Sequence, residues 1–519
     1  MRDRFHPGIE DAVWATVDLV DERGPWRPAD RAAALERLGS VTFDLLVIGA
    51  GIVGARVACE AARAGASVAL LDAGDFGGAT SSASSKLFHG GLRYLPMGDL
   101  RLIRESHLER RALLDVVAPH LVRPLTFLLP VYGGGPLRAA GIGAGLLIYS
   151  VLSGFRHTRA RMVGAREARR LVPPLRTDGM RGAGVYEDAQ THDSRLTLAT
   201  VAAAARAGAT VVNHLPVTAL ERAGGRVVAA RAGDLAVRCR AVVNAAGPWV
   251  DEVRRLEDPA ARPAARLSKG VHLTMRLDEP WHAALTVPVD RGRVAFAVPW
   301  QGTLLLGTTD TEYEGDPAAA SPDPEDVDTV LREAARGLPA EVLGRDRILY
   351  AFAGLRVLPL GGGDTASTPR DEVIHVGPGG MVSVAGGKLT THRRIAAGVL
   401  HRLDAFRHVR VSPGPLPGAG PLPPAPDGVE PPVWDHLVGL YGSDAPAVAA
   451  AGADRVHPGG PDVWGQVHHA IDREWACTVE DVVRRRTTLA VRGLATRGVR
   501  DAIAATLAHQ GVFNSVDDR

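Results

Sequence analysis

One glycine-rich turn constrains the fold of this chain more than any other feature. Residues 42–76 read TFDLLVIGAGIVGARVACEAARAGASVALLDAGDF, in which two apolar runs enclose the turn and an alanine-rich stretch, and the second run ends at Asp72. This pattern predicts strand, tight turn, helix, strand and acid. The turn itself comprises Gly49, Ala50, Gly51, Ile52, Val53 and Gly54. Glycines at these positions allow the tight turn, let the backbone approach a pyrophosphate and let the helix pack close to the strand. The acid can accept hydrogen bonds from ribose hydroxyls. We therefore predict a dinucleotide-binding unit.

Two later stretches favour FAD over NAD. Residues 241–252, AVVNAAGPWVDE, return an apolar strand to a turn that contains Ala246 and Gly247. Residues 382–394, VSVAGGKLTTHRR, give a strand, a Gly-Gly turn and the start of a helix. In a long cofactor, that helix N-terminus can face the flavin and stabilise its anionic reduced form. The residues concerned are Gly386, Gly387, Leu389 and Thr390. An unliganded turn before a helix is the alternative interpretation.

Composition excludes several classes of protein. The chain has 519 residues and a net charge of +2, which gives no sign of nucleic-acid binding. Its three cysteines lie far apart, which predicts a reducing, cytoplasmic environment and no metal site. We find no secretory signal and no run long enough to span a membrane. The apolar run 139–154 is interpreted as a buried or interfacial helix.

Proline and charge patterns divide the chain into four parts. We predict a leader with a short helix over 1–40 and a proline-rich linker over 413–432. Residues 41–412 between them are expected to hold the cofactor domain interleaved with a β-rich substrate domain. The charged segment 433–519 is expected to be a helical domain.

Several long blocks of sequence resemble the FAD-dependent glycerol-3-phosphate dehydrogenase family. The clearest is TSSASSKLFHGGLRYL at 80–95, which is similar to the signature of that family. Further similar blocks are APHLVRPLTFLLP (118–130), NAAGPWVD (244–251), KGVHL (269–273), LLGTTDTEYEGDP (305–317), AGLRVLPL (353–360), GGKLTTHR (386–393) and EWACTVEDVVRRRTTLA (474–490). The resemblance extends over roughly residues 41–510.

The resemblance implies a mixed α/β fold. A doubly wound FAD-binding domain would be interleaved with an antiparallel-sheet substrate domain of the D-amino-acid-oxidase type, followed by the helical domain. It also implies oxidation of sn-glycerol 3-phosphate to dihydroxyacetone phosphate, with electrons passed through FAD to a membrane quinone. Contact with the inner face of the plasma membrane would then be peripheral. The apolar run 139–154 and the arginines 484–486 are candidate pieces of that contact, and a homo-oligomer is compatible with the sequence.

The substrate phosphate requires fixed positive charge. Arg93, Arg356 and Lys388 lie in matching blocks, and Tyr94 can add a hydroxyl donor. We expect Arg93 and Arg356 to hold the phosphate and Lys388 to lie near the substrate.

Oxidation of the C2 alcohol also needs a base with a pKa near neutrality. His89 is the first candidate for that base, His272 is a second one that would otherwise bind substrate, and Lys388 is a third.

The remaining cofactor contacts rest on the family match. Thr80, Ser81 and Ser82 offer hydroxyls for the cofactor phosphates. Gly90 and Gly91 would let the backbone pass close to the isoalloxazine ring. Val217, in the stretch VTAL, is expected near the adenine.

Three alternative functions stay open at this level. The first is a glycerol-3-phosphate oxidase that uses oxygen, and the second is another small-substrate flavin oxidase of the same fold, such as an amine or amino-acid oxidase. The third is a flavin-binding sensor without catalysis.

Overall fold

The glycine-rich turn lies at the centre of a six-stranded sheet. The computed structural model describes residues 28–88, 90, 100–133, 135–153, 160–289, 293–360 and 372–511. The sheet order is β19-β20-β12-β2-β3-β8, parallel except for β19. The strands are β2 (Leu45–Ile48), β3 (Val68–Leu71), β8 (Thr210–Val212), β12 (Val242–Asn244), β19 (Val373–Val376) and β20 (Val382–Ala385). The predicted strand–turn–helix–strand unit is confirmed.

Helices from distant parts of the chain cover this sheet. They are α1 (Pro28–Ser40), α2 (Ile52–Arg63), α6 (Asp193–Arg206), α7 (Val250–Glu257) and α9 (His392–Leu400). Helix α2 packs against α6 and α9, and its alanines allow the close approach. The sheet has one apolar core on each face, as a parallel sheet with both faces covered requires. Helices α2, α6 and α9 contribute to the first core, and α1 and α7 contribute to the second.

A ten-stranded, mostly antiparallel sheet forms the second layer. Its main order is β17-β13-β16-β15-β14-β5-β7-β4, with β18 paired to β13 and β6 to β7. Its strands are β4 (Leu87–Phe88), β5 (Val122–Tyr132), β6 (Arg161–Val163), β7 (Met180–Thr191), β13 (Ala265–Arg276), β14 (Ala284–Pro288), β15 (Val294–Trp300), β16 (Thr303–Gly307), β17 (Thr311–Tyr313) and β18 (Ile348–Pro359). The helices α3 (Leu100–Ala112), α4 (Gly135–Leu152), α5 (Ala165–Leu171) and α8 (Pro324–Ala334) accompany it. A small third sheet comprises β1 (Thr42–Phe43), β9 (Val217–Ala223), β10 (Arg226–Ala232) and β11 (Leu235–Cys239).

The segment after residue 430 is helical. It contains α10 (Pro431–Tyr441), α11 (Ala445–Ala450), α12 (Trp464–Arg473), α13 (Val479–Asp481), the π-helical turn Val482–Arg486 and α14 (Arg497–His509). These helices bury two apolar clusters of their own. Among the described residues, no helix combines the length and the apolar character that crossing a bilayer would demand.

Buried ion pairs join this helical segment to the six-stranded sheet. Asp75, in the loop after β3, accepts hydrogen bonds from Arg485 and Arg486. Asp75 is 1% exposed and Arg486 is fully buried. Burial alone would lower the pKa of the Arg486 guanidinium, but the Asp75 carboxylate raises it above its usual value. Arg485 and Arg486 are therefore internal partners of a carboxylate and do not form a membrane-facing patch.

Loss of the Asp75 carboxylate is expected to destabilise the protein strongly. Asp75→Asn should lower the free energy of unfolding by about 3–5 kcal/mol, because a buried arginine then lacks its charged partner. Chemical denaturation measures the change. The matched control is Glu430→Gln, which removes the more exposed ion pair with Arg455 and should cost less than about 1 kcal/mol. Equal losses in the two variants would contradict a structural role for Asp75.

Candidate active site

A large cavity lies between the two main sheets. Its volume is about 1950 Å³, well above the few hundred to roughly 1,000 Å³ of an ordinary small-molecule site. The wall includes Gly49 and Asp72 from the six-stranded sheet and His272 and Arg356 from the ten-stranded sheet. The cavity therefore has room for a dinucleotide and a small substrate together.

The glycine turn has the geometry of a dinucleotide cradle. Gly49 has φ +97°, a conformation that favours glycine. A Cβ added to Gly54 would lie 1.9 Å from the Gly49 carbonyl oxygen, so only glycine allows α2 to begin this close to the turn. The Ile52 amide donates to Ser81 Oγ at 2.9 Å. The N-terminus of α2 thus opens into the cavity, where its N–H groups favour a phosphate.

Asp72 lies at the end of β3, on the cavity wall. Its carboxylate accepts hydrogen bonds from the backbone amides of Ala50 at 2.6 Å and Gly74 at 3.0 Å, and these bonds fix the orientation of the carboxylate. Burial raises the pKa of Asp72 to about 6, although these two amides oppose the shift. A carboxylate in this position can accept hydrogen bonds from ribose hydroxyls, so the residues present fit a dinucleotide.

Most of the predicted cofactor residues line this cavity. Those that do are Gly49, Gly51, Ile52, Val53, Asp72, Thr80, Ser81, Val217, Ala246, Gly247, Gly386, Gly387, Leu389 and Thr390. Ala50 and Gly54 support the turn from behind. Ser82 lines a smaller neighbouring cavity instead. Gly91 lies outside the described residues.

The second glycine turn supports the opposite part of the cavity. Gly386 and Gly387 have φ of +81° and +94°, and they precede the short turn Leu389–Thr391 and helix α9. A Cβ on Gly387 would approach Ile395 Cδ1 to 2.4 Å. Lys388 sits at the start of this turn and lines the cavity.

Arg356 crosses the ten-stranded sheet from β18 towards the cavity. It is paired with Ser268 across β13, and it donates to Thr308 Oγ1 at 2.9 Å and to the Thr309 carbonyl at 3.0 Å. A Cβ on Gly270 would meet Arg356 Nη2 at 2.4 Å, so the missing side chain makes space for the guanidinium. Its side chain is 17% exposed, which leaves it accessible from the cavity.

His272 lies on β13, on the same face of the strand as Gly270. Its Nε2 forms a hydrogen bond with Ser85 Oγ at 2.9 Å, and its ring stacks on Phe352 with centroids 5.1 Å apart. Burial lowers the pKa of His272 well below its usual value, and the charges of Arg356 and Lys86 lower it further. The imidazole is therefore neutral at neutral pH and a weak proton acceptor.

Gly90 does not line the cavity. Its amide donates to Asp188 Oδ1 at 3.1 Å, and an added Cβ would lie 2.4 Å from both the His107 ring and the Tyr149 hydroxyl. The need for glycine at this position thus comes from packing beneath the cavity wall. His89, Arg93 and Tyr94 lie outside the described residues.

The cavity wall contains further polar residues that no sequence motif predicts. Asp188 lines the cavity. Its carboxylate accepts hydrogen bonds from the Tyr149 hydroxyl at 2.8 Å and from the Arg110 guanidinium. Burial raises the pKa of Asp188, although Arg110 opposes the shift. Arg293 also lines the cavity and is paired with Glu333. No motif marks these positions, because they meet only through strand pairing and helix packing.

Two family models match the chain. The model described as FAD dependent oxidoreductase matches residues 44–393, and the model described as the C-terminal domain of alpha-glycerophosphate oxidase matches residues 358–513. The first match alone extends over more than half of the chain, and it includes both glycine turns.

Full-length relatives agree with these matches. The chain is 36% identical over 515 residues to a glycerol-3-phosphate dehydrogenase of Mycobacterium leprae, covering 92% of this chain and 87% of that protein. It is 32% identical to the mitochondrial glycerol-3-phosphate dehydrogenase of Homo sapiens, covering 91% and 71%.

Solved structures confirm the predicted fold class. The glycerol-3-phosphate dehydrogenase of Bacillus halodurans, solved with FAD, has a TM-score of 0.70 and 26% identity, covering 93% of this chain and 97% of that one. An L-alpha-glycerophosphate oxidase of Mycoplasma pneumoniae shares the fold, with a TM-score of 0.58 and 16% identity over 70% of this chain and 95% of that one. The predicted FAD cofactor is confirmed too. The chain therefore belongs to the FAD-dependent oxidoreductases and, within them, to the glycerol-3-phosphate dehydrogenase family.

Proposed function

We propose that this protein oxidises sn-glycerol 3-phosphate to dihydroxyacetone phosphate. The observation that carries the proposal is the position of Arg356 in the same cavity as the dinucleotide turn. A guanidinium at this position can bind the negatively charged oxygens of a phosphate monoester. The cavity also leaves space for a small polyol beside the cofactor. The relatives named glycerol-3-phosphate dehydrogenase match the chain over nearly its whole length.

The phosphate would be held by cations from two elements. The Arg356 guanidinium is already oriented by Thr308 and Thr309. Its side chain therefore loses little conformational entropy when a phosphate binds. Lys388 lines the cavity from the second glycine turn. Arg93 and Tyr94 belong to the same proposed set by family resemblance.

Oxidation removes the proton of the C2 hydroxyl and a hydride from C2, which leaves the ketone. When bound, FAD supplies the acceptor for that hydride. Burial and the neighbouring cations keep His272 neutral, so we assign it to orient the C2 hydroxyl rather than to retain its proton. His89 is the proposed base, with Lys388 as the alternative.

Electrons would leave the enzyme to a membrane quinone, at the cytoplasmic face of the plasma membrane. An oxygen-using oxidase is the second candidate, since the family model for residues 358–513 is named for an alpha-glycerophosphate oxidase. The choice between them depends on which acceptor reaches the reduced flavin.

Anaerobic addition of sn-glycerol 3-phosphate should bleach the visible absorbance of the bound flavin. A soluble short-chain quinone should then restore the absorbance faster than air does. Faster recovery in air would identify an oxidase, and a spectrum that does not respond would reject the proposed substrate. The enantiomer sn-glycerol 1-phosphate is the control and should bleach the flavin far more slowly.

Arg356→Met should lower kcat/KM for glycerol 3-phosphate by on the order of a hundredfold or more, because a charge-assisted bidentate contact is worth about 2–5 kcal/mol. Stopped-flow bleaching measures the rate, and an unchanged flavin spectrum shows that the cofactor site is intact. Arg293→Lys is the matched control in the same cavity. Its guanidinium contacts the Glu333 carboxylate more closely than Arg356 contacts Asp310, which lies 3.5 Å away, so we expect a loss below about tenfold. Equal losses would argue against Arg356 as the phosphate ligand.

Asp72 should make FAD binding depend on pH. Ribose hydroxyls favour the ionised carboxylate, and the pKa of Asp72 is about 6. FAD affinity of the protein freed of cofactor should therefore be full above pH 6 and fall as the pH drops below it. Asp72→Asn should weaken binding by on the order of tenfold and flatten this profile. Fluorescence titration with FAD tests both effects, and an unchanged profile in the variant would exclude Asp72 as the titrating group.

A further inference from the structure

Arg484 is an unpaired cation on the wall of the cofactor cavity. The cavity is also lined by four other arginines, Arg293, Arg356, Arg485 and Arg500. Each of these four has a hydrogen-bond or ion-pair partner. Arg484 is exposed, and it forms no hydrogen bond or ion pair with any residue that the structure describes. Its guanidinium is therefore available to an anionic group inside the cavity.

The two arginines that follow Arg484 fix its position. All three belong to the π-helical turn Val482–Arg486. Arg485 and Arg486 are 6% and 0% exposed, and both donate hydrogen bonds to Asp75 in the loop after β3. Consecutive residues of a helix point in different directions, so Arg484 can face the cavity while its two neighbours are buried. Asp75 itself lines the cavity, so the turn is attached at the cavity wall.

The loop after β3 runs beside the dinucleotide turn. The Gly77 amide donates to the Ala50 carbonyl at 3.1 Å. Farther along the loop, Ser81 Oγ accepts a hydrogen bond from the Ile52 amide at the start of α2. The N–H groups at a helix N-terminus favour a phosphate. The loop therefore follows the edge of the turn at which the pyrophosphate of a dinucleotide would bind.

Arg484 lies against this same loop. It lines a second cavity of about 180 Å³ together with Gly78, Ala79 and Thr80, and these three residues line the main cavity as well. The small volume of the second cavity keeps Arg484 close to this part of the loop. Among the described residues that line the second cavity, none is acidic, so no carboxylate neutralises the Arg484 guanidinium from that side.

We propose that Arg484 binds the pyrophosphate of FAD. The pyrophosphate carries the negative charge of oxidised FAD at neutral pH, and a guanidinium forms charge-assisted hydrogen bonds with phosphate oxygens. The N–H groups of α2 supply partial positive charge, which a full charge from Arg484 complements. The match to the FAD dependent oxidoreductase model ends at residue 393. The C-terminal segment thus contributes a cofactor ligand of its own.

Titration of the full-length protein, freed of cofactor, with FAD tests the proposal. Arg484→Gln should weaken FAD binding by on the order of tenfold or more, because a charge-assisted hydrogen bond is lost. Arg484→Glu should weaken binding further, since its carboxylate repels the pyrophosphate. Flavin fluorescence measures the affinity. Both cofactor-free variants should unfold at the same denaturant concentration as the wild type, because Arg484 is exposed and has no partner among the described residues.

Arg473→Gln is the matched control. Arg473 is an exposed arginine of α12 in the same C-terminal segment, and it does not line the cavity. The control removes the same charge from the protein and should leave FAD affinity unchanged. The midpoint potential of the bound flavin should also be unchanged in Arg484→Gln, because the pyrophosphate lies away from the isoalloxazine ring. Neither measurement uses glycerol 3-phosphate, so failure of the proposed substrate would not affect the result.

Four results would overturn the assignment of Arg484 to the pyrophosphate. The first is an unchanged FAD affinity in both Arg484 variants, and a raised KM for glycerol 3-phosphate would then assign the residue to the substrate. The second is an equal loss in Arg484→Gln and Arg484→Glu, which would show that charge is not responsible. The third is an equal loss in Arg473→Gln, which would indicate an effect of net charge. The fourth is a changed midpoint potential, which would place the guanidinium at the flavin ring.

Discussion

The buried contact between Asp75 and two arginines determines how the parts of this protein fit together. Asp75 follows the second strand of the dinucleotide unit, whereas Arg485 and Arg486 come more than four hundred residues later. Removing three charges from water is costly, and this cost is offset only when the groups meet in good geometry. The contact therefore specifies one arrangement of the C-terminal helices on the cofactor domain. Arg195 and Glu474, which are 2.7 Å apart, form a second buried ion pair between the cofactor domain and the C-terminal helices.

The substrate part of the cavity depends on a different constraint, namely the absence of side chains. Gly270, Gly307 and Gly354 lie on three neighbouring strands, and an added Cβ at each would come within 2.4–2.5 Å of Arg356, His272 or Ala83. Gly270 and Gly307 leave space for the side chains of Arg356 and His272, and Gly354 lets the backbone of Ala83 approach β18. The functional groups are thus held by rigid strands, which fixes their positions better than loops would.

Much of the cofactor site could be predicted from the sequence, because its elements are local. The turn at Gly49, the acid at Asp72 and the turn at Gly386 each depend on a short stretch with its own steric requirement. Less of the substrate site could be predicted from the sequence. Arg356 and His272 were found through family blocks, whereas Asp188 and Arg293 reach the cavity only through long-range strand pairing that no local pattern encodes. Gly90 illustrates the opposite case, since its block is specific but its glycine is required by His107 and Tyr149 beneath the surface.

The C-terminal helices also contribute to the cavity wall. Thr478, Asp481 and Arg500 line the same cavity as Asp72 and Val217, and Asp481 bonds His214 at 3.0 Å. The part of the wall nearest the dinucleotide strands is thus completed by residues of the C-terminal helices. These helices are held on the cofactor domain by the arginines that pair with Asp75. The enclosure of the cavity and the attachment of the C-terminal segment are consequently one structural property, so a weakened Asp75 contact would also expose this side of the cavity to solvent.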